Sequence, residues 1–130
     1  MTREELKQRI DTVEQAYEFF LAYAAQGVSG EAGSDTGEEL RSFLEKSERA
    51  LLDLVAGFSD LVSRERPEPA DSYRELSQVL GRDAGTTRAA IQAILARPAI
   101  SSQLIDNFNA SIHVRALLTD LFLLDELLAG

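Results

Sequence analysis

The side chains best suited to catalysis or metal binding are few in this sequence, and their spacing fits neither a metalloenzyme nor a hydrolase. The chain has no cysteine and one histidine, His113. A di-iron helical site needs Glu-x-x-His motifs, and Ala110 stands where that glutamate should precede His113. The Gly-x-Ser-x-Gly motif of serine hydrolases does not occur. The sequence therefore predicts no catalytic residue, no metal site and no cofactor, and we interpret the protein as a non-enzyme.

A group of polar residues on otherwise apolar helical stripes is the best candidate for a ligand site. Arg115 continues the stripe that contains Ile112, and its guanidinium suits carboxylate or phosphate. If the last two predicted helices are antiparallel, polar residues of both fall at one height and predict a small-anion pocket. Its lining residues are Asp83, Thr87, Ser111, Arg115 and Thr119. The plainer interpretation is an Arg–Asp pair that fixes helix register, or an arginine that reaches the surface.

The elements that must position these residues are helices. Apolar residues recur three and four apart in four segments, and glycine-rich or proline-containing stretches separate the segments. Thr2 and Glu5 have the spacing of a capping box. The pattern predicts an all-α single domain over 1–130, a four-helix antiparallel (up-down-up-down) bundle. Its helices are predicted at about 3–26, 37–65, 72–96 and 99–129, with the third weakened or kinked near Gly81 and Gly85.

The last predicted helix carries more apolar residues than one neighbour covers. In its first half a core stripe runs to Ile112, and Leu118, Phe122 and Leu123 stay near that stripe in the second half. A second apolar face consists of Val114 and four leucines, Leu117, Leu121, Leu124 and Leu128. A helix that is apolar on most of its circumference must be covered on more than one side. These four leucines are therefore predicted to form an interface with another protein chain.

The aromatic pair Phe19 and Tyr23 is a further candidate for that interface, because it lies outside the core stripe of the first helix. The plainer interpretation is that the pair covers the loop that follows. Together these features predict a non-enzymatic interaction or assembly module that forms a homodimer through its C-terminal helix, or binds another protein there. A helical sensor with a small-anion pocket around Arg115 is the alternative.

The charge of the chain argues against two classes of partner. The formal net charge is −9 and the pI is about 4.5, whereas nucleic acids and anionic membranes attract basic surfaces. The N-terminal residues are charged and lack the apolar segment of a signal peptide. No apolar run approaches the length of about 20 residues that crosses a bilayer. We expect a cytoplasmic protein that binds neither nucleic acid nor membrane.

One segment favours a different function. Residues 72–98 resemble the SYGELAxxLG helix-turn-helix segment of the O6-alkylguanine alkyltransferases, with matches that include Tyr73, Leu80, Gly81, Arg88 and Pro98. The active-site cysteine of that family is missing, since the chain has no cysteine, and this excludes the repair reaction. The resemblance implies at most nucleic-acid docking. A helix-turn-helix regulator is therefore the second alternative function.

Overall fold

The computed structural model describes residues 1–30 and 34–129, and every regular element in these ranges is a helix. The elements are α1 (Arg3–Ala25), α2 (Asp35–Glu65), α3 (Ala70–Leu95), α4 (Ser102–Ala110) and α5 (Ile112–Ala129). The predicted all-α class is confirmed, but the described residues form five helices rather than four. Residues 31–33, in the predicted connection between the first two helices, and residue 130 lie outside the described residues.

The first two helices are antiparallel, and contacts along their whole length fix the register. Arg3 Nη2 lies 2.8 Å from Glu65 Oε1 at one end, and Arg9 Nε lies 2.9 Å from Asp53 Oδ2 further along. The predicted capping box is present, because the Thr2 hydroxyl accepts from the Glu5 amide and the Glu5 carboxylate accepts from the Thr2 amide. Such a cap satisfies two backbone donors that a helix start leaves free.

Helix α3 is continuous through both of its glycines. It packs on α2, where Gly81 faces Val55 and Arg88 faces Glu48, so α2 and α3 are also antiparallel. The predicted single third helix is therefore present, without the break that a helix-turn-helix within residues 72–98 would need. Glycine lowers helix stability by roughly 1 kcal/mol relative to alanine, and the packing of the α3 apolar face on α2 outweighs that cost.

The predicted fourth helix is divided in two at Ser111. The backbone of Ser111 is extended, with φ −63° and ψ 147°, so it ends α4. Its hydroxyl then accepts a hydrogen bond from the Val114 amide at 3.2 Å and so caps the start of α5. The prediction of one helix over 99–129 is wrong because a serine can satisfy the first free amides of a new helix. The extended residue also ends the helical phase of α4, so α5 presents its faces independently.

The connection between α1 and α2 is tied to the start of α4. The Ser102 hydroxyl donates to the Tyr23 carbonyl at 2.6 Å and accepts from the Val28 amide at 3.0 Å. The Ser102 amide donates to the Val28 carbonyl at 2.9 Å, and the Tyr23 hydroxyl donates to the Ile100 carbonyl. Gly30 packs directly on the Ile100 backbone with a φ of 79°, where an added Cβ would overlap the Ile100 carbonyl. Helix α4 is thereby held against the C-terminal half of α1.

Within the described ranges, none of the helices combines the length and the hydrophobicity that a membrane-spanning segment needs.

Candidate interaction surface on α5

The four leucines predicted to form an interface lie in the core of the single chain. Each of them is buried in this cluster: Leu117, Leu121, Leu124 and Leu128. They pack with the buried residues of α1, α2 and α3, so they present no surface to a second molecule. The prediction of an interface at these positions is therefore wrong. The prediction assumed that one core face continues from residues 104–112 to the end of the chain. The extended Ser111 interrupts the helix, so the buried face of α5 does not follow from that of α4.

The aromatic pair on α1 is also occupied within the chain. Tyr23 is buried, and the centroid of its ring lies 6.4 Å from that of Phe19. The Phe19 ring stacks on Phe43 of α2, with 4.5 Å between centroids, and is half-buried. The structure therefore contradicts an interface role for Tyr23, and it packs Phe19 on α2.

The exposed apolar residues of α5 lie on the face opposite the buried leucines. Ile112 is 72% exposed, Leu123 50% and Leu127 41%. With the half-buried Ala116 they are spaced by four, seven and four residues, so they share one side of the helix. We call Ile112, Ala116, Leu123 and Leu127 the α5 stripe. It is uncovered within the chain, whereas most large apolar side chains of the described residues are buried.

Charged and aromatic residues form a second line beside the α5 stripe. Arg115 is exposed near the start of α5 and Glu126 is exposed near its end, three helical turns apart on the same flank. Phe122, which is 55% exposed, lies between them on that flank. The α5 stripe therefore has a basic residue at one end and an acidic residue at the other.

The predicted small-anion pocket is not assembled. Arg115 points to solvent, and the exposed Thr119 donates its hydroxyl to the Arg115 backbone carbonyl at 2.9 Å. Thr87 is buried and donates to the Asp83 backbone carbonyl at 2.9 Å, while Ser111 caps α5. Thr87, Ser111 and Thr119 therefore make their hydrogen bonds within or at the ends of their own helices, and Arg115 is exposed. The break at Ser111 again explains the error, since it turns Arg115 away from α3.

A small cavity lies between the helices, but no basic side chain of the described residues lines it. Its volume is about 20 Å³, and Ser47 and Thr87 contribute hydroxyl-bearing side chains to a lining that is otherwise mainly apolar. The Ser47 hydroxyl is buried and has no hydrogen-bond partner in the described residues. A space of this size holds about one water molecule. It is too small for a phosphate or carboxylate ligand.

The partner of Asp83 is Asp120, which the sequence analysis did not select. Asp120 is 7% exposed, and its Oδ2 atom has no hydrogen-bond partner in the described residues. Burial, together with the neighbouring Asp83 carboxyl of α3, raises the pKa of Asp120 to about 7. The sequence signal was available, because Asp120 stands between the buried Leu117 and Leu124 in an otherwise apolar run.

The described residues contain no group of three or more histidine, aspartate or glutamate side chains placed to hold a metal ion. Comparison with protein-family models, with curated proteins and with solved structures gives no match. The geometry of the chain itself is therefore the basis for assigning a function.

Proposed function

We propose that this chain is a non-enzymatic assembly module that forms a homodimer by antiparallel packing of α5 on α5 of a second copy. The observation that carries the proposal is the uncovered α5 stripe of Ile112, Ala116, Leu123 and Leu127. We also infer that α4 and α5 together take the place of the fourth helix in an up-down-up-down bundle. The α5 stripe is then the outer face of that composite helix.

The spacing of the stripe is self-complementary in an antiparallel arrangement. With a two-fold axis between Thr119 and Asp120, Ile112 of each copy lies opposite Leu127 of the other. The small Ala116 then lies opposite the larger Leu123, which lets the two helices approach closely. Each half-exposed leucine or isoleucine contributes roughly 1 kcal/mol on burial. Because association itself costs several kcal/mol, we expect a dimer that dissociates on dilution.

The charges beside the stripe fit the same arrangement. In an antiparallel pair related by a two-fold axis, residues on the same flank meet, so Arg115 of one copy meets Glu126 of the other. The contact occurs twice, once at each end of the interface. In a parallel arrangement related by a two-fold axis, the two charged flanks would lie on opposite sides of the interface, so Arg115 and Glu126 would not meet. The charge order along α5 therefore favours a second copy in the antiparallel orientation.

The experiment is the absolute mass in solution by light scattering on a sizing column, across a dilution series. The wild type is expected to change from dimer to monomer on dilution. Leu123→Glu places a charge in the middle of the interface and is expected to be monomeric at every concentration with unchanged helicity. Leu52→Glu is the matched control, because Leu52 is 47% exposed but lies on α2. It is expected to dimerise like the wild type.

A charge exchange tests the orientation. Arg115→Glu is expected to weaken the dimer, and adding Glu126→Arg to that variant is expected to restore it, because the pairs re-form with reversed charge. A wild type that is monomeric at all concentrations would contradict the homodimer and leave the α5 stripe to a different protein. A dimer that Leu123→Glu does not disrupt would place the interface elsewhere.

A further inference from the structure

We propose that Asp83 and Asp120 form a proton-dependent latch between α3 and α5 that makes dimerisation favourable below neutral pH and unfavourable above it. The inference rests on the proposed antiparallel homodimer and adds a regulation of that interface. It is carried by the position of Asp120, which belongs to the buried contact with α3 and also borders the α5 stripe.

The Asp120 carboxyl is placed where a negative charge is costly. The residue is 7% exposed, and its Oδ2 atom is buried without a hydrogen-bond partner in the described residues. The neighbouring group is a second carboxyl, that of Asp83, on the facing helix. Two carboxylates in contact repel each other unless one of them is protonated and donates to the other. A shared proton therefore joins α3 and α5, and its loss drives them apart.

The cations near this contact are engaged elsewhere or exposed. On α3, Arg82 is exposed and Arg88 lies 3.9 Å from Glu48 of α2. On α5, His113 and Arg115 are both exposed. At the matching height of α2, the charged residues are Arg49, which is exposed, and Asp53, which pairs with Arg9 of α1. Within residues 1–30 and 34–129 no salt bridge reaches Asp83 or Asp120, so the proton is the means of neutralising the pair.

Dimerisation brings the Asp83–Asp120 contacts of the two copies close to each other. The two-fold axis passes between Thr119 and Asp120, and Asp120 lies on the flank opposite Arg115. Because residues on the same flank meet, the α3–α5 contacts of the two copies, each with its buried Asp120, approach each other across the axis. The second copy also removes the remaining water from this flank. Both effects favour the protonated form, so dimer formation takes up protons and weakens as pH rises.

Helix α3 can also deform near Asp83 when the proton is lost. Gly81 and Gly85 stand two residues before and two residues after Asp83, and these positions make α3 easiest to deform near the latch. The free-energy cost of a buried charge on Asp120 falls when water enters between α3 and α5. That movement displaces Asp120 and the neighbouring Leu123, which lies at the centre of the α5 stripe.

The test measures the dimer dissociation constant at pH 5.5 and at pH 8.0, at constant ionic strength, for the wild type and three variants. The wild-type constant is expected to rise about tenfold or more between these values. Asp120→Asn, which keeps the shape and removes the titration, is expected to show little change, and so is Asp83→Asn. His113→Gln is the control, because histidine also changes charge in this range; it is expected to keep the wild-type dependence.

The free energy of unfolding is measured on the same samples, well below the dissociation constant. The wild type is expected to lose stability from pH 5.5 to 8.0, and Asp120→Asn is expected to lose less. A dimer whose dissociation constant does not change with pH would overturn the latch while the homodimer stands. A protein that is monomeric at both pH values would overturn the homodimer and, with it, the control of assembly. A pH dependence that disappears in His113→Gln would assign the effect to the histidine and also overturn the latch.

Discussion

Tyr23 connects α1 to the start of α4 and, through Phe19, to α2. Its hydroxyl donates to the Ile100 carbonyl before α4, and its own carbonyl accepts from the Ser102 hydroxyl within α4. Its ring also contacts Phe19, which stacks on α2. A tyrosine suits this position because its ring fills buried space while its hydroxyl reaches a polar backbone group.

Tyr23→Phe is expected to lower the free energy of unfolding by about 1–3 kcal/mol, because it leaves the buried Ile100 carbonyl without its donor. Urea unfolding followed by circular dichroism measures the change. Tyr17→Phe is the matched control: Tyr17 is half-buried on the same helix, and its hydroxyl makes no hydrogen bond within the described residues. Equal stability of the two variants would mean that the contact with Ile100 contributes nothing.

At this scale the sequence indicated some roles and missed others. The spacing of Thr2 and Glu5 predicted the capping box, which the structure contains. The position of Phe19 and Tyr23 outside the core stripe predicted an interface, whereas Tyr23 is buried and Phe19 stacks on Phe43. Helical spacing predicted Arg115 as the neighbour of Asp83, whereas Asp120 is its neighbour in the structure. The choice between the two depends on how α5 is rotated about its axis, and local spacing does not set that rotation.

The glycines inside the helices show how packing decides the effect of one residue type. A Cβ added to Gly85 of α3 would meet no atom within 4 Å, whereas one added to Gly57 of α2 would lie 2.8 Å from both Leu6 Cδ2 and Met1 Sδ. Gly57 therefore leaves room for the side chains of Leu6 and Met1 where the start of the chain packs on α2. Gly85 has no such role in the chain.

Gly85→Ala is expected to raise the free energy of unfolding by about 0.5–1 kcal/mol, since alanine is the better helix former and the site has room. Gly57→Ala is expected to lower it, because the overlap with the flexible Leu6 and Met1 side chains must be relieved by moving them. Thermal or urea unfolding measures both. A Gly85→Ala variant that is destabilised would contradict the conclusion that this position has room for a side chain.

For the whole molecule, the decisive arrangement is the division of the α5 apolar residues between two environments. Leu121 and Leu124 lie in the common core with α1, α2 and α3, and Leu123 and Leu127 lie on the α5 stripe. Residues that neighbour each other in the sequence therefore have different roles, one in folding and one in the proposed assembly. The amino-acid composition of the helix does not separate the two sets.

Leu124→Ala and Leu127→Ala are a matched pair for this division. Leu124→Ala is expected to lower the free energy of unfolding by about 2–5 kcal/mol, because it leaves a cavity in the core. Leu127→Ala is expected to change the stability of the monomer by less than about 1 kcal/mol and to weaken the dimer. Unfolding at low protein concentration and the dilution series measure the two effects. If Leu124→Ala weakened the dimer and Leu127→Ala did not, the interface would lie on the leucine face that is buried in the single chain.

By itself the sequence determined the helical class, the approximate positions of the first three helices and the excess of apolar residues near the C-terminus. These follow from local periodicity and from breakers that act over a few residues. Only the tertiary structure decided which face of α5 is buried, because the extended backbone at Ser111 ends the phase of α4. The contacts of α5 with α3 and α1 then set its rotation. That rotation buries four leucines, exposes the α5 stripe and places Asp120 against Asp83.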